Sequence, residues 1–436
     1  MPTARATTPV CVVLVMSAVL MRRTRIVFAV IFLVGICGAA REWSAPQVVA
    51  GECAGPVRVV EDPRSFGAAT SVVVDLGDHR VRAYGYGTAG ARLSRLTAGE
   101  RVHLDGTCAP VATNRRAREL VAHVTGRMSV SAVGENIDDG GPLWRGANRV
   151  RSLLHHGTRR MPSDDAALFA GLVIGDDRDQ PREMVEEFRS SGLSHLCSVS
   201  GQNVVYVMAA FGIFLRRLRP LARLCATLAV IGWFVVLTRA EPSVLRAAAM
   251  ASVVAFNFYR GHAANGRQVL AASVTGLLVL DPMLAFSVGF ALSTGATAGL
   301  AWLSHPVSRR LRLPTVLTAT VAAQLGTLPV SLIVFGRVSV VSLVANPLAV
   351  PVAGAVMLVG IPCALVAAVV PAPLSALLQW VMVVPTGYIA DVAHVCARLA
   401  PRGGVAVVCW LLVLGGAGAR WSMTRPSGRV GAWPPT

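Results

Sequence analysis

The sequence predicts a mainly α-helical, polytopic membrane protein with an inserted, extracytoplasmic β-barrel domain. Of the 436 residues, 54% are hydrophobic and only 15% are charged, which excludes an ordinary soluble globular protein. About eleven apolar segments occur along the chain, and several have the length of a membrane-spanning helix. Residues 45–140 are instead polar and glycine-rich, with short apolar runs that alternate with polar residues.

The chain begins with two apolar runs, Val10–Leu20 and Ile26–Ala40, separated by the basic turn Met21–Arg25. Residues 1–44 are therefore predicted to form a transmembrane hairpin. The alternative is that Met21 starts a signal peptide, because the second run also fits a basic n-region and a short apolar core. The three arginines of the turn are expected to stay cytoplasmic, which leaves residue 45 onward outside the cell.

Residues 45–140 are predicted to form a small extracytoplasmic β domain. Five runs read as strands: Val57–Val60, Ser71–Leu76, Arg80–Tyr84, Glu100–Leu104 and Leu120–Val124. Five short strands in about 90 residues are typical of an OB-type barrel. OB barrels bind single strands through basic grooves and stacking aromatic residues. The candidate DNA-binding residues are Arg64, Arg80, Arg82, Arg92, Arg95 and Arg101, with Tyr84 and Tyr86 beside them. A solvated basic face is the alternative.

Two of the nine cysteines, Cys53 and Cys108, bracket much of this domain, whereas the others lie in or beside apolar runs. A Cys53–Cys108 disulfide would close about 55 residues and contribute ~4 kcal/mol by chain entropy. Two buried free thiols are the alternative, and the disulfide is favoured. The sequence contains no CxxC pair and no His/Cys ligand spacing, so neither a metal nor another cofactor is expected.

The net charge of +18 says little by itself about nucleic acid. All 41 basic residues are arginine, a bias that is typical of a GC-rich genome. Membrane proteins are also often basic, because their cytoplasmic loops hold arginine.

Residues 141–162 are predicted to form an amphipathic helix at the membrane surface, since apolar residues recur at helical spacing with arginines between them. Residues 163–420 are predicted to form a polytopic channel domain, followed by a cytoplasmic tail at 421–436. The apolar segments of this part are Leu193–Leu215, Leu221–Thr238, Val244–Phe258, Gln268–Leu280, Met283–Leu303, Thr315–Phe335, Val341–Val370, Leu374–Val395 and Val405–Ala417. Arginine clusters follow the first, fifth and last segments, and all three fall on the cytoplasmic side.

The stretch Gly171–Met208 contains the densest acidic group in the chain, followed by the polar hinge His195–Asn203 at the mouth of an apolar run. Polar groups at the mouth of a membrane span are costly and indicate function. The stretch resembles the signature of the ComEC competence proteins. It reads Ile174-Gly175-Asp176, then an acidic helix, then Phe188, Ser191-Gly192-Leu193, His195-Leu196 and Val199-Ser200-Gly201.

Later polar groups that interrupt the apolar segments extend the resemblance. Broken helices at membrane depth are tolerated where they line a cavity. The predicted pore residues are His195, Ser200, Gly201, Gln202, Asn203, Arg239, Glu241, Arg246, Asp281, Ser293, Gln324 and Asn346. The alternative for the small residues around Ser293 is helix–helix packing.

The resemblance implies an inner-membrane channel component for uptake of single-stranded DNA during natural transformation. It also implies an OB-like domain outside the cell, often with a disulfide. The implied partners are single-stranded DNA, the lipid bilayer, a separate nuclease, a cytoplasmic DNA-translocating ATPase and further copies of the chain.

The resemblance covers about residues 40–420. The His-x-His-x-Asp-His motif of the family's metallo-β-lactamase-like nuclease domain is not in the sequence. A nuclease is therefore expected from another chain, and the alternative is a truncated or degraded member of the family. No catalytic residue is predicted, because Ser198 and Ser200 lack a partner carboxylate in a nucleophile-elbow pattern. The alternatives are an ion-coupled small-solute transporter that uses Glu241, Asp281 and His195, or a non-transporting membrane scaffold.

Overall fold

A computed structural model describes residues 48–197, 201–336 and 339–401, which form a sheet domain followed by a helical region. The predicted N-terminal hairpin, the apolar segment Val405–Ala417 and the tail at 421–436 lie outside the described residues.

The sheet domain is built from six strands. They are β1 Gly51–Val59, β2 Arg64–Phe66, β3 Ala69–Asp75, β4 Arg80–Tyr86, β5 Arg101–Pro110 and β6 Val124–Asp138. The strand order is β1-β5-β6-β4-β3-β2, and β1 also pairs with β3, so five of the strands pair in a closed ring. The β4–β6 pairing is parallel and the others are antiparallel.

The predicted strand at Leu120–Val124 is wrong. Residues Thr113–Leu120 form a helix, α2, whose last residue, the buried Leu120, packs against Met283 of the helical region. The last strand begins only at Val124, where buried and exposed residues start to alternate. The other four predicted strands correspond to β1, β3, β4 and β5, whereas β2 was not predicted, since all three of its residues are exposed.

The interior of the ring is filled largely by valines, whereas β3 is buried on both faces, since Val73 packs with Val111 and Val124 on the other side. Val72 and Val74 of β3 and Val81 of β4 are at most 1% exposed, and each such burial stabilises the fold by about 1.5–3 kcal/mol. Helix α1, Gly87–Leu93, packs closely on the end of β4, because a Cβ on Gly85 of that strand would lie 2.6 Å from the Leu93 side chain and 3.0 Å from the backbone nitrogen of Gly90. The predicted Cys53–Cys108 disulfide is present and joins β1 to β5, with Cα atoms 5.7 Å apart.

The helical region follows the sheet domain without another strand among the described residues. Its helices are α3 Pro142–Thr158, α4 Ser163–Ile174, α5 Arg182–Ser191, α6 Ser194–Cys197, α7 Gly201–Leu215, α8 Pro220–Leu237, α9 Pro242–Tyr259, α10 Gly266–Leu280, α11 Val288–Leu311, α12 Thr315–Phe335, α13 Ser342–Ala355, α14 Ile361–Ala367 and α15 Ala372–Leu399. A 3-10 turn at Pro282–Phe286 precedes α11, and a π-helical turn at Val356–Gly360 joins α13 to α14.

Four helical stretches are long and apolar enough to cross a membrane, namely α8, α12, Ser342–Ala367 and α15. At most 39% of the apolar window of each is buried inside the chain. Large side chains such as Phe214 and Trp380 are 65% and 67% exposed. Apolar surface of this extent needs lipid as its solvent, so the chain is a multi-pass membrane protein.

The sheet domain rests on one end of the membrane helices. His123, in the turn after α2, contacts Asp281 at the end of α10 (Nε2 to Oδ2, 3.2 Å). Asp62, in the loop after β1, contacts Arg239 in the turn between α8 and α9. The ends of α8 and α10 therefore lie on the same side, beneath the sheet domain.

Candidate functional site: a cavity between the membrane helices

A partly open cavity of about 2550 Å³ lies between the helices of the helical region. Its lining includes Glu241 and Tyr259 at the two ends of α9, and Leu317 and Phe335 near the two ends of α12. An 18-residue helix such as α9 is about 27 Å long. The cavity therefore extends over a length comparable with the hydrocarbon core of a bilayer, about 30 Å.

Eight of the twelve predicted pore residues line this cavity: His195, Gly201, Gln202, Glu241, Arg246, Ser293, Gln324 and Asn346. They come from α6, α7, α9, α11, α12 and α13, so the fold gathers residues that are far apart in the sequence. Ser200 lies outside the described residues. Asn203, Arg239 and Asp281 are not among the lining residues.

Arg246 places a guanidinium group on the cavity wall, one turn into α9. The residue is only 6% exposed, and its Nε donates to Ser293 Oγ at 2.7 Å. Its Nη1 lies 3.0 Å from Met250 Sδ. No carboxylate among the described residues forms an ion pair with this side chain. A buried cation without a carboxylate partner favours a bound anion.

Gly201 lies directly against the Arg246 guanidinium. A Cβ at Gly201 would lie 2.6 Å from Arg246 Nη2, so a larger residue would displace the guanidinium. Gly201 is also the first residue of α7, whose N-terminal backbone N–H groups carry partial positive charge. Because Gly201 has no side chain, the Arg246 guanidinium and the partially positive N-terminal end of α7 can lie together on one wall of the cavity.

The signature segment is held against the start of α13. Gly192 adopts a φ of +79°, and a Cβ there would lie 2.6 Å from Ser342 Cβ. Ser339 Oγ donates to the carbonyl oxygen of Ser190 at 3.0 Å, and Gln324 Nε2 donates to Ser342 Oγ. These contacts hold the segment beside the start of α13, at one end of the cavity. We call this end, lined by Ser190, Gly192, Ser339 and Ser342, the mouth of the cavity.

Two amide oxygens near this mouth are buried without a hydrogen-bond partner in the part of the chain that the structure describes. They are Gln324 Oε1 and Asn346 Oδ1. Buried acceptors are nearly always satisfied, and an unsatisfied one costs about 1–3 kcal/mol. Such groups are retained where a ligand or water supplies the missing donor.

A second cluster of polar side chains lies beneath the sheet domain. Sequence analysis did not predict that these residues meet. Arg151 of α3 donates to Asp176 Oδ2 at 2.9 Å and lies 3.1 Å from Asp62 Oδ2. Arg178 donates to both Asp176 oxygens at 2.6 Å. We call Asp62, Arg151, Asp176, Arg178 and Arg239 the charge cluster. It joins the sheet domain, α3, the loop after α4 and the α8–α9 turn.

The charge cluster keeps its two carboxylates ionised. Burial raises the pKa of Asp62, but the neighbouring Arg151 and Arg239 outweigh it, and the net pKa lies below the usual range. Burial also raises the pKa of Asp176, but hydrogen bonds from Arg178 and His155 outweigh it, and the pKa again falls below its usual range. The cluster is therefore a set of permanent charges at neutral pH.

The predicted pore residues outside the cavity wall have other contacts. Arg239 donates to Asp62 and to Asn148 Oδ1, and its guanidinium lies 5.4 Å from the Trp144 ring centre. Asn203 Nδ2 donates to the carbonyl oxygen of Leu172 at 3.0 Å. Asp281 contacts His123 of the sheet domain. Burial raises the pKa of Asp281, but the hydrogen bond and charge of His123 outweigh it, and the net pKa is lowered.

The six predicted DNA-binding arginines do not gather in one groove. Arg82 pairs with Glu119 at 2.8 Å, and Arg92 Nη1 donates to the carbonyl oxygen of Val133 at 2.9 Å. The register places Arg80 beside Val124 and Arg101 beside Asp138, which are the two ends of β6. Arg95 follows α1, and Arg64 Nη2 lies 3.3 Å from Asp177 Oδ1. Between residues 48 and 141 the chain carries eleven arginines and eleven acidic residues, so this domain is not basic overall.

Within residues 48–197, 201–336 and 339–401, no group of three or more His, Cys, Asp or Glu side chains is placed to hold a metal ion.

The fold and the cavity define a class of protein: a multi-pass membrane protein with a large, mainly apolar cavity that carries a few polar side chains and lies beneath a sheet domain. Residues 172–425 match the family described as "Competence protein". Because this match covers more than half of the chain, the protein belongs to that family, and its similarity to named members makes it a ComEC/ComA-type member.

Three curated proteins are similar to parts of this chain. ComE operon protein 3 of Bacillus subtilis (strain 168) is 30% identical over 200 residues, which are 44% of this chain and 25% of that protein. Competence protein ComA of Neisseria gonorrhoeae is 28% identical over 344 residues, 73% of this chain and 49% of that protein. Uncharacterized protein YcaI of Escherichia coli (strain K12) is 28% identical over 239 residues, 51% of this chain and 31% of that protein.

The matched regions thus span a quarter to about a half of the curated relatives. No solved structure matches the chain.

Proposed function

We propose that this protein is an inner-membrane channel component that takes up a single strand of DNA during natural transformation. The observation that carries the proposal is the cavity of about 2550 Å³, which reaches both ends of α9 and α12 and has Arg246 on its wall. A polyanion that crosses a bilayer needs such a water-accessible path with positive charge along it. The names of the relatives, Competence protein ComA and ComE operon protein 3, support a role in competence.

The sheet domain would receive the strand outside the cell as an OB-type barrel. The closed ring of pairings and the parallel β4–β6 pair support this assignment. The Cys53–Cys108 disulfide supports an extracytoplasmic position, since disulfides persist in oxidising compartments. Arg64, Arg80, Arg82, Arg92, Arg95 and Arg101 would act as separate phosphate contacts around the domain.

The cytoplasmic side would lie at the opposite end of the helices. Arg216, Arg217 and Arg219 follow α7, and Arg309 and Arg310 lie in the last turn of α11. Arginines concentrate in cytoplasmic loops, which supports a cytoplasmic position for this end of the helices. The C-terminus would lie on the same side. A DNA-translocating ATPase would act there, and a separate nuclease would supply the single strand outside.

The transporter alternative needs Glu241, Asp281 and His195 to share one site. Glu241 and His195 line the cavity, but the Asp281 carboxylate contacts His123 of the sheet domain instead. We therefore favour the DNA channel over an ion-coupled transporter.

The proposal is tested by deleting the gene in a competent host and measuring labelled DNA in the cytoplasm. The deletion strain should bind DNA outside but contain no internalised strand. Complementation with Arg246→Gln should leave uptake at least about tenfold lower than with the parent gene, and Arg246→Lys should restore part of it. Arg267→Gln is the matched control, because Arg267 is an exposed arginine on α10 that is not part of the cavity lining. Unchanged cytoplasmic uptake in the deletion strain would exclude the proposed function.

A further inference from the structure

Two exposed aromatic residues lie on the same face of the sheet domain. Phe66 of β2 pairs with Ala69 of β3, and Ala69 pairs with Tyr86 of β4. Directly paired residues of antiparallel strands point to the same face, so Phe66, Ala69 and Tyr86 form one row. Neighbouring strands are about 4.8 Å apart, which puts the two aromatic residues about 10 Å apart with a small alanine between them.

The row faces away from the core of the domain. Val72 and Val74 of β3 point inward, and the register puts Ala69 on the opposite face. Phe66 is 60% exposed and Tyr86 is 61% exposed. Large aromatic residues left open to this degree on a soluble domain are suited to contact a ligand.

The next row of the same face carries a positive charge and a third aromatic residue. Arg64 pairs with Ser71, and Ser71 pairs with Tyr84. Arg64 lies two residues from Phe66 on the same strand, about 7 Å away, and its side chain belongs to the same face. This face therefore combines planar rings with a cation.

Arg64 also connects this face to the cavity. Its Nη2 lies 3.3 Å from Asp177 Oδ1, and Asp177 is one of the cavity-lining residues. The side chains of Arg64 and Asp177 are 52% and 43% exposed, and an ion pair this exposed is weak and easily exchanged for a phosphate. The aromatic row is thus next to the mouth of the cavity.

We propose that Phe66 and Tyr86 form a base-stacking site that holds single-stranded DNA at the mouth of the cavity, with Arg64 on the adjoining phosphate. This inference rests on the proposed function, because it takes the same strand as its ligand. The sheet domain has equal numbers of arginines and acidic residues, so bulk charge does not account for binding here. Stacking supplies affinity that does not depend on net charge or on base sequence.

The test uses the full chain in lipid nanodiscs and a fluorescently labelled oligo(dT), with binding followed by anisotropy. Phe66→Ala and Tyr86→Ala should each weaken binding about 5- to 150-fold, which corresponds to ~1–3 kcal/mol for each stacked base. Ile137→Ala is the matched control, since Ile137 is a 57% exposed apolar residue of β6 and should leave binding unchanged. Phe66→Trp keeps a planar ring and should retain the affinity of the parent chain.

A backbone-only ligand separates stacking from phosphate contact. An abasic oligonucleotide of the same length should bind at least about fivefold more weakly than oligo(dT) to the parent chain. Phe66→Ala and Tyr86→Ala should leave the binding of the abasic oligonucleotide unchanged, because it has no base to stack. Equal binding of both ligands to the parent chain, or unaltered binding by both alanine variants, would overturn the stacking site. No measurable binding of oligo(dT) to the parent chain would overturn it as well.

Membrane anchoring is the other role for exposed aromatic residues. In nanodiscs with brominated lipid, the fluorescence added by Phe66→Trp should not be quenched by the lipid and should be quenched by oligo(dT). Quenching by the lipid would place the ring in the bilayer and would also overturn the proposal. Loss of the stacking site would leave the channel proposal standing if cytoplasmic uptake still requires the gene.

Discussion

Arg239, in the turn between α8 and α9, donates two hydrogen bonds to Asp62 of the sheet domain, at 3.0 and 2.9 Å. The two residues are 177 positions apart in the sequence. Arg239 and Ala240 both have positive φ angles, 59° and 54°, which non-glycine residues rarely adopt. The pair thus holds the turn in an uncommon backbone conformation and fixes the sheet domain to the membrane helices.

Breaking this pair should loosen the sheet domain. Asp62→Asn should destabilise the docked domain by up to about 3–5 kcal/mol, because the mostly buried Arg239 loses its carboxylate partner. Arg239→Gln should destabilise it less, because Asp62 keeps its ion pair with Arg151. The measurement is the midpoint of thermal unfolding in detergent together with the rate of limited proteolysis. Asp78→Asn, at an exposed position of the β3–β4 turn, is the control. Equal midpoints for all three variants would show that the pair does not hold the domain.

Docking of the sheet domain onto the membrane helices should weaken at acid pH. The folded-state pKa values of Asp62 and Asp176 lie below their usual range, so their stabilising contribution is complete above the unfolded-state pKa of about 3.9. It is lost as the pH falls through the folded-state values. Proteolytic resistance should therefore be constant from pH 8 to about 5 and should decline below about 4. Asp176→Asn should reduce the decline. An equally steep decline in that variant would contradict the assignment.

The crossing of α11 and α12 should tolerate no added methyl group. A Cβ on Gly299 would lie 2.1 Å from the carbonyl oxygen of Ala322, and one on Gly326 would lie 2.8 Å from Gly299 Cα. Gly299→Ala should destabilise the chain by at least about 1–3 kcal/mol, since the obstacle is backbone. Gly276→Ala on α10 is the control, because a Cβ there meets nothing within 4 Å. Equal thermal midpoints for the two variants would contradict this close crossing.

Removing the disulfide should weaken the sheet domain. The pair Cys53→Ser with Cys108→Ser opens a loop of 55 residues and should cost about 2–5 kcal/mol. The thermal midpoint of the parent chain should fall on reduction, whereas that of the double variant should not respond. A midpoint of the parent chain that is insensitive to reductant would contradict a stabilising role.

Local features of the sequence predicted much of the helical region. The apolar run Thr315–Phe335 coincides with α12, and the signature residues His195, Gly201 and Gln202 line the cavity, whereas their role in a pore stays a prediction. Periodicity and composition are local properties, so they identify helices and polar interruptions well.

Long-range pairing could not be predicted in the same way. Nothing near Asp62 in the sequence indicates that it meets Arg151 and Arg239, and Arg239 was therefore assigned to the pore. The strand at Leu120–Val124 was wrong because Leu120 is buried against Met283, a residue of the helical region. The row of Phe66 and Tyr86 depends on strand register, which a short, wholly exposed strand such as β2 does not reveal.

The central claim is that one DNA strand passes through the cavity. It is tested most directly by photo-cross-linking in competent cells with DNA that carries a bulky block at its trailing end, so that transport stalls. A photoreactive amino acid would replace Leu292 or Leu317, which line opposite ends of the cavity, or Val279, which is 57% exposed and is not part of its lining. We expect DNA adducts at Leu292 and Leu317 and none at Val279. Stalled uptake without an adduct at Leu317 would contradict passage through this cavity.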